Sequence, residues 1–349
     1  SPDLAVCDAC LEDIQSQPQR LNYPFVNCTH CGPRFSIIRE LPYDRCQTSM
    51  DVFPMCPSCQ KEYENVRHRR FHAQPHACAV CGPHYAYHTQ SGISEDIETI
   101  LNRVRKDLSQ GKVIAVKGIG GFHLACSALD DNAVRRLRKF KHRDRKPFAV
   151  MMATMDMVRQ YSNPSPEDEQ LLTSIRRPIV LMPAKTTTAL SQNLQSGLST
   201  LGIMLPYTPL HHLLFSDSSM GPLVLTSGNR SDEPIVIDNE KALREFLPEL
   251  DGVLTYNREI VNRNDDSVMM TVRHIPRMIR RSRGYAPDTV MLPFSVEGVC
   301  ALGAELKNCF AMGRGREAIV SQYIGDLKNT ESYDFFQEAI ARFNRLFRV

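Results

Sequence analysis

At 349 residues the chain is long enough for two or three domains, and 42% hydrophobic with 23% charged residues is the balance of a globular protein, not of a disordered one. No window approaches the ~18 consecutive apolar residues of a membrane helix, and Ser1-Pro-Asp-Leu4 has neither the basic nor the apolar region of a secretory signal. A formal net charge of +3 is too small by itself to argue for a nucleic-acid partner.

The first quarter carries four CxxC pairs in two copies of one unit. Cys7 and Cys10 with Cys28 and Cys31 form the first; Cys56 and Cys59 with Cys78 and Cys81 form the second. The pairs are separated by 17 residues in one copy and 18 in the other, and the copies are offset by 49 to 50. The repeat extends beyond cysteine. Cys28-Thr-His-Cys31-Gly32-Pro33-Arg34-Phe35 is echoed by Cys78-Ala-Val-Cys81-Gly82-Pro83-His84-Tyr85, and Arg20-Leu21 stands as far before its pair as Arg70-Phe71 does. Two such knuckles supply the four thiolates of a tetrahedral zinc ion with little backbone strain. The alternative is the disulfide framework of a secreted protein, but a chain this long needs no staples to build a core. Two structural zinc ions are expected, in modules over 1–50 and 51–90, each with four protein ligands and no open position. Cys46, Cys126, Cys300 and Cys309 are scattered and read as free thiols. The compartment implied is reducing, hence the cytoplasm.

Residues 1–88 are loop-rich, as small metal-held modules are. His68, His72 and His76 recur every four residues, but Pro75 argues against a helix there and the cysteines already fill two sites. From residue 93 the texture changes. Apolar residues at 97, 100, 101, 104 and 108 predict a helix closed by Gly111. A strand over 113–116 follows, running into Lys117-Gly-Ile-Gly-Gly-Phe-His123. Asp130 and Asp131 cap a helix through Lys139. A strand over 148–152, a helix near 156–161 and strands over 179–182, 202–205 and 223–226 complete the alternation of an α/β domain. Beyond 292, Gly298 to Met312 reads as the opening hairpin of a new domain, with a helix around 333–347.

The densest charge feature, 135–146, holds eight Lys/Arg in twelve positions. Its first part, Arg135 to Lys139, reads as a solvated helix face. Its end, Lys141-His-Arg143-Asp-Arg145-Lys146-Pro147-Phe148, leaves the helix for a strand, where cations converge on a ligand with several anionic oxygens. Thr226-Ser227-Gly228-Asn229 offers a hydroxyl, an amide and backbone N–H groups after a strand. The Gly-rich stretch 117–121 is neither a Walker A motif nor a GxGxxG fingerprint. Asn264-Asp265-Asp266-Ser267 and Arg280-Arg281-Ser282-Arg283-Gly284 add carboxylates and cations. Together they describe a polyphosphate site, with a basic nucleic-acid groove as the competing reading.

Lys141-x-Arg143-x-x-Lys146-Pro147-Phe148, Ser227-x-Asn229 with Glu233-Pro234, and Asp266-Ser267-Val268 resemble the YrdC family, which makes threonylcarbamoyl-adenylate for tRNA modification. Ile114-Ala-Val116 and Leu124-Ala125-Cys126 fit its first strand and turn. That family's threonine-contacting Thr-Glu-Thr-Val-Tyr-Gly stretch is replaced here by Gly118-Ile-Gly-Gly-Phe-His123, which removes the threonine-holding hydroxyl. With the cysteine modules before it and Gly303-Ala-Glu-Leu-Lys-Asn308 and Ser321-Gln-Tyr-Ile-Gly-Asp-Leu327 after it, the chain resembles the HypF family of NiFe-hydrogenase maturation carbamoyltransferases.

The resemblance implies a YrdC-like twisted sheet with helices over 93–289, preceded by the zinc modules and followed over 290–349 by the start of a further α/β domain for carbamoyl transfer. It implies that the family's acylphosphatase-like domain and transfer-domain histidines lie outside this chain. The implied reaction uses carbamoyl phosphate and ATP, with Mg, to form carbamoyl-AMP and pyrophosphate, and hands the carbamoyl group to the C-terminal cysteine of HypE. Lys141 and Arg143 are the implied catalytic residues. Lys117, Gly118, His123, Lys146, Ser227, Asn229, Asp266, Ser267 and Arg280 are the implied nucleotide- or carbamate-binding residues. No nucleic-acid or membrane partner is expected. A zinc-finger protein gripping nucleic acid is the rival from another class, disfavoured because the knuckles lack a basic stripe interleaved with aromatics. A threonylcarbamoyl-AMP synthase with added fingers is the second rival, disfavoured by the altered threonine stretch.

Overall fold

The computed structural model describes residues 1–143, 146–186, 189–195, 197–230 and 233–349. Asp144 and Arg145, inside the basic run, lie outside those described residues.

Each cysteine module starts a short helix directly after its first cysteine: Asp8–Ser16 behind Cys7 and Pro57–Glu64 behind Cys56. One helical turn brings the second cysteine of a CxxC pair back beside the first, and Pro57 presets the backbone angle of its opening residue. The expectation of loops missed these helices because nine and eight residues are too few to display a helical stripe.

The repeated arginines cross between the modules. Arg20 reaches Glu62 on the second module's helix (Nη1 to Oε1 3.2 Å, Nη2 to Oε2 2.5 Å). Arg70 returns the contact, pairing with Asp13 on the first helix and donating from Nε to the Asn27 carbonyl at 3.1 Å. Asp13 and Glu62 each stand six residues after the first cysteine of their own module, so the exchange is reciprocal. Both arginine side chains are fully buried. Breaking a buried pair strands a charge, so Arg20→Ala is expected to cost ~3 kcal/mol, the low end of such losses. It stays at the low end because His76 still faces Glu62 at 3.1 Å. Urea unfolding should show this as a lower midpoint at unchanged slope; a midpoint equal to the parent's would refute it.

Eleven strands form one sheet among the described residues. Their spatial order is Ile275–Arg280, Val268–Val272, Ile179–Pro183, Thr200–Met204, Ala149–Met151, Leu223–Ser227, Phe122–Ser127, Ile114–Lys117, Gly252–Tyr256, Tyr85–Thr89 and Gly92–Ser94. The α/β alternation read from the sequence is therefore present, with helices Ile97–Ser109, Asp131–Lys141 and Met155–Tyr161 where the stripes and caps put them. Tyr85–Thr89 pairs antiparallel with Gly252–Tyr256, so the tail of the second module is stitched into the sheet by its backbone.

Both faces of the sheet are covered. On one, Val6, Phe25 and Val26 of the first module join Tyr85, Ile100, Val104 and Tyr256 in a single core, with the Phe25 and Tyr85 rings stacked at 4.8 Å. On the other, Leu137, Phe140, Phe148, Val150 and Phe246 pack beneath Asp131–Lys141 and Asn239–Phe246. A separate four-stranded sheet follows. Its hairpin of Cys300–Ala301 and Ala311–Arg314 answers the one read from the sequence. The helix Thr330–Phe347 packs on it through Phe336 and Phe343, and Phe35 and Ile38 of the first module complete that core. Among the described residues no helix is long and apolar enough to cross a membrane.

Candidate functional site

The cysteines converge as two sets. Cys7 and Cys28, Cys28 and Cys31, and Cys10 and Cys31 place their Sγ atoms 3.7, 3.8 and 3.6 Å apart. Cys56 and Cys78, and Cys78 and Cys81, do so at 3.7 and 3.8 Å. A tetrahedron of ~2.3 Å zinc–sulfur bonds has edges of about 3.75 Å, whereas a disulfide holds its sulfurs ~2.05 Å apart. Each set fits one zinc ion, and among the described residues these two are the metal-ligating clusters. The histidines belong to neither: His76 faces Glu62, and the His72 ring packs against Tyr63 at 4.9 Å.

On the large sheet a cleft of about 1110 Å³ opens between the strands and the C-terminal four-stranded unit. Its floor is apolar, with Ala149, Ile179, Gly202 and Leu225 drawn from neighbouring strands, and its rim carries Arg143, Lys146, Ser227, Asp265, Asp266, Arg280, Lys307 and Tyr323. A second hollow of about 580 Å³ shares Lys146, Ser227, Asp265, Arg280 and Tyr323 and adds Asn229, Glu233, Arg263 and Asp326. The two adjoin through these shared residues and together make one depression on this face.

The helix Asp131–Lys141, capped by the Asp130 carboxylate on the Asn132 and Ala133 N–H groups, delivers Lys141 as its last residue instead of releasing it beyond the helix. Its buried ammonium donates to the carbonyls of Ser227 (2.5 Å) and Asn229 (2.8 Å) and to Asn229 Oδ1 (2.9 Å). Ser227 Oγ also donates to Asn229 Oδ1, at 2.8 Å, and Asn229 Nδ2 donates to the Glu233 carbonyl. Lys141 thus pins the Ser227–Asn229 turn from below. Arg143 lies over the Phe148 ring and donates to Thr226 Oγ1 at 3.0 Å, with Nη2 on the Pro147 carbonyl at 2.5 Å. Arg280 pairs with Asp265 at 2.9 Å and lies over Tyr323.

These cations crowd one another. Burial, with Arg143 adding, draws Lys141 down to about 7. Burial followed by Arg138 and Arg280 draws Arg143 down to about 10, and burial with Arg143 and Arg280 lowers Lys146. Like charges brought together in a partly dry cleft favour an incoming anion.

Four of the residues expected at the ligand face elsewhere. Lys117 is buried on the opposite side, donating to Asn239 Oδ1 (2.7 Å) and to the Tyr256 and Arg258 carbonyls (3.1 and 3.0 Å). Gly118 opens onto the junction with the first module beside Phe25 and Tyr207. The Gly-rich loop is there for close packing: a Cβ on Gly120 would sit 2.1 Å from the Asn264 carbonyl. His123 Nε2 donates to Asp266 Oδ2 at 3.1 Å, while Arg283 Nε donates to Oδ1 at 2.6 Å. Burial would raise the Asp266 carboxyl, but Arg283 and His123 outweigh it and hold it well below the usual carboxylate range. Ser267 is enclosed, donating to the Arg283 carbonyl at 2.8 Å. Sequence reasoning missed Lys307, Tyr323, Asp326 and Arg263 at the depression. Lys307, Tyr323 and Asp326 come from the C-terminal unit and Arg263 from the residue just before Asn264, and no local spacing ties any of them to Arg143 and Lys146.

Three family models match. The Sua5/YciO/YrdC model, described as "Telomere recombination", covers residues 106–282. The HypF finger covers 6–38 and 55–88, and the HypF Kae1-like domain covers 295–349. Carbamoyltransferase HypF of Rhodobacter capsulatus is 42% identical over 99% of this chain and 46% of the relative. That of Synechocystis is 44% identical over 99% of this chain and 45% of the relative. The chain therefore spans about half the length of the curated relatives it matches. The crystal structure of full-length HypF in its phosphate- and nucleotide-bound form superimposes with a TM-score of 0.95 at 48% identity, over 100% of this chain and 46% of that one. T. kodakarensis HypF gives 0.96 at 44% identity, over 100% and 45%.

Proposed function

The chain belongs to the HypF family, whose finger, YrdC-like and Kae1-like segments it carries in order, and on that premise we propose that its cleft forms carbamoyl-AMP for NiFe-hydrogenase maturation. The observation that carries the reading is the crowding of Arg143, Lys146 and Arg280 around one depression, with mutual repulsion already felt by Arg143 and Lys146. ATP with Mg is the polyanion that suits it, and the nucleotide-bound relative is consistent with this. Asp265 and Glu233 line the depression but do not converge as a metal set, so Mg would enter with the phosphates as part of the substrate.

In the proposed reaction a carbamate oxygen attacks the α-phosphorus of ATP, the bond to the bridging oxygen breaks, and pyrophosphate leaves with the displaced electron pair. Both reactants are anionic, so alignment and charge neutralisation are the tasks of the site. Arg143 and Arg280 would neutralise phosphate charge, Lys146 would join them at the rim, and Lys141 would hold the Ser227–Asn229 turn in place to orient the nucleotide. The apolar floor suits an uncharged ring. Carbamoyl phosphate is the proposed source of carbamate, and the C-terminal cysteine of HypE, in the cytoplasm, the proposed final acceptor.

The test is ATP–pyrophosphate exchange. Exchange should depend on added carbamoyl phosphate, or on bicarbonate with ammonium as a direct carbamate source, and L-threonine should add nothing. Exchange stimulated by threonine would favour the tRNA-modifying reaction. Salt-sensitive RNA or DNA binding without any exchange would favour a nucleic-acid gripper.

A further inference from the structure

In the C-terminal four-stranded unit, the loop between Cys300–Ala301 and Ala311–Arg314 is closely braced. Gly303 and Lys307 both adopt left-handed conformations, with φ of +75° and +51°. A Cβ at Gly303 would fall 2.2 Å from the Cys309 carbonyl, so only glycine fits there. Nothing comparable requires a lysine at 307, where an L side chain in this region costs about 1 kcal/mol relative to glycine. The Lys307 N–H donates to Asp326 Oδ1 at 2.7 Å. Asn308 Nδ2 staples the loop from inside, donating to the carbonyls of Leu302 (2.9 Å) and Ala304 (2.7 Å), and the Asn308 backbone pairs with Gly325. The loop is thus a braced turn that presents one side chain.

That side chain lines the cleft on the large sheet, on the same rim as Arg143, Lys146 and Arg280. Among the described residues the Lys307 ammonium has no hydrogen bond or ion pair, unlike Lys141, Arg143 and Arg280, which are each tied to the protein. A surface lysine normally projects into bulk water. This one lies on a rim with Arg143, Lys146 and Arg280, of which Arg280 is already paired with Asp265, so its ammonium is left available to an anion entering the cleft. A left-handed backbone held at a non-glycine residue and an unpartnered ammonium on the rim of the cleft together point to a ligand contact.

We propose that Lys307, delivered by the C-terminal unit, is a direct ligand of the terminal phosphates of the nucleotide bound in the cleft. The inference rests on the polyphosphate reading of that cleft and deepens it: the nucleotide site is shared between two units of the chain, so the phosphate end is closed only when both are in place. A mobile ammonium is suited to the task, since it acts as a point charge on phosphate oxygens without demanding one geometry.

Titration calorimetry of the whole chain with ATP, AMP and inorganic tripolyphosphate tests it. Lys307→Gly keeps the left-handed turn and removes the ammonium; Lys307→Arg keeps a cation. Lys307→Gly should weaken ATP and tripolyphosphate about tenfold, the scale of one charge-assisted hydrogen bond. AMP binding should change less than twofold, and Lys307→Arg should recover most of the loss. Lys328→Ala, an exposed lysine of the same unit, serves as the charge control and should bind like the parent. ATP binding by Lys307→Gly at the parent's affinity, or an equal loss for AMP and ATP, would overturn the proposal while leaving the cleft's assignment intact. A parent protein that binds neither ATP nor tripolyphosphate would overturn both.

Discussion

Chelation of this protein should release two zinc ions per chain and unfold both cysteine modules together, with damage reaching the large sheet. A structural zinc site in small modules of this kind is worth roughly 10–16 kcal/mol of apparent folding energy, far more than either module gains from its own packing. The modules have little independent core. Val6, Phe25 and Val26 are buried against Tyr85, Ile100 and Tyr256 of the sheet, and the Arg20–Glu62 and Arg70–Asp13 pairs tie each module to the helix of the other. Losing one ion frees a helix that holds the partner's buried arginine, and that charge is then stranded. Metal analysis should give two ions, chelator titration should remove both in one phase, and protease should then cut within 1–88 before attacking the sheet. One ion or none in protein never exposed to chelator, or release in two well-separated phases, would count against this account.

Replacing Arg143 with Ala should lower the rate of carbamate-dependent ATP–pyrophosphate exchange by ~10²–10³, the usual worth of a preorganised group facing charge in the transition state. ATP affinity should fall less, because stabilisation specific to the transition state exceeds that of the ground state. Lys141→Ala should also lower the rate, through a different route. Its ammonium touches the Ser227–Asn229 turn instead of opening freely onto the cleft, and its loss would leave buried acceptors unpaired. Lys141→Ala should therefore lose stability as well as rate, whereas Arg143→Ala should lose chiefly rate. Arg135, exposed on the outer face of its helix, should be silent in both measurements. No exchange in the parent, or equal rate losses at Arg135 and Arg143, would decide against the enzyme.

The zinc sets, the modules' repeat and most strands and helices of the α/β unit were legible in the residues, because each rests on short-range geometry. A CxxC pair carries its own metal-binding shape, and the stripe from Ile97 to Leu108 with the Asp130 cap specifies a helix wherever it folds. The cation cluster was legible only as a list of charges. Lys117 and Lys141 look alike in sequence, each a lysine beside a candidate phosphate loop, yet the first turns toward Asn239 and Tyr256 and the second toward Ser227 and Asn229.

What the sequence alone determined about this protein is therefore its local chemistry: which cysteines share an ion, which segments are helix or strand, and which family pattern they follow. Only the tertiary structure decided where the charges point. A buried ammonium or guanidinium goes to whichever acceptors surround it, since leaving it unpaired is costly, and those acceptors come from strands and turns far away in the chain. The same non-local packing brings Lys307 and Tyr323 to the rim that Arg143 and Arg280 share, and crosses Arg20 and Arg70 between two modules that read as separate copies.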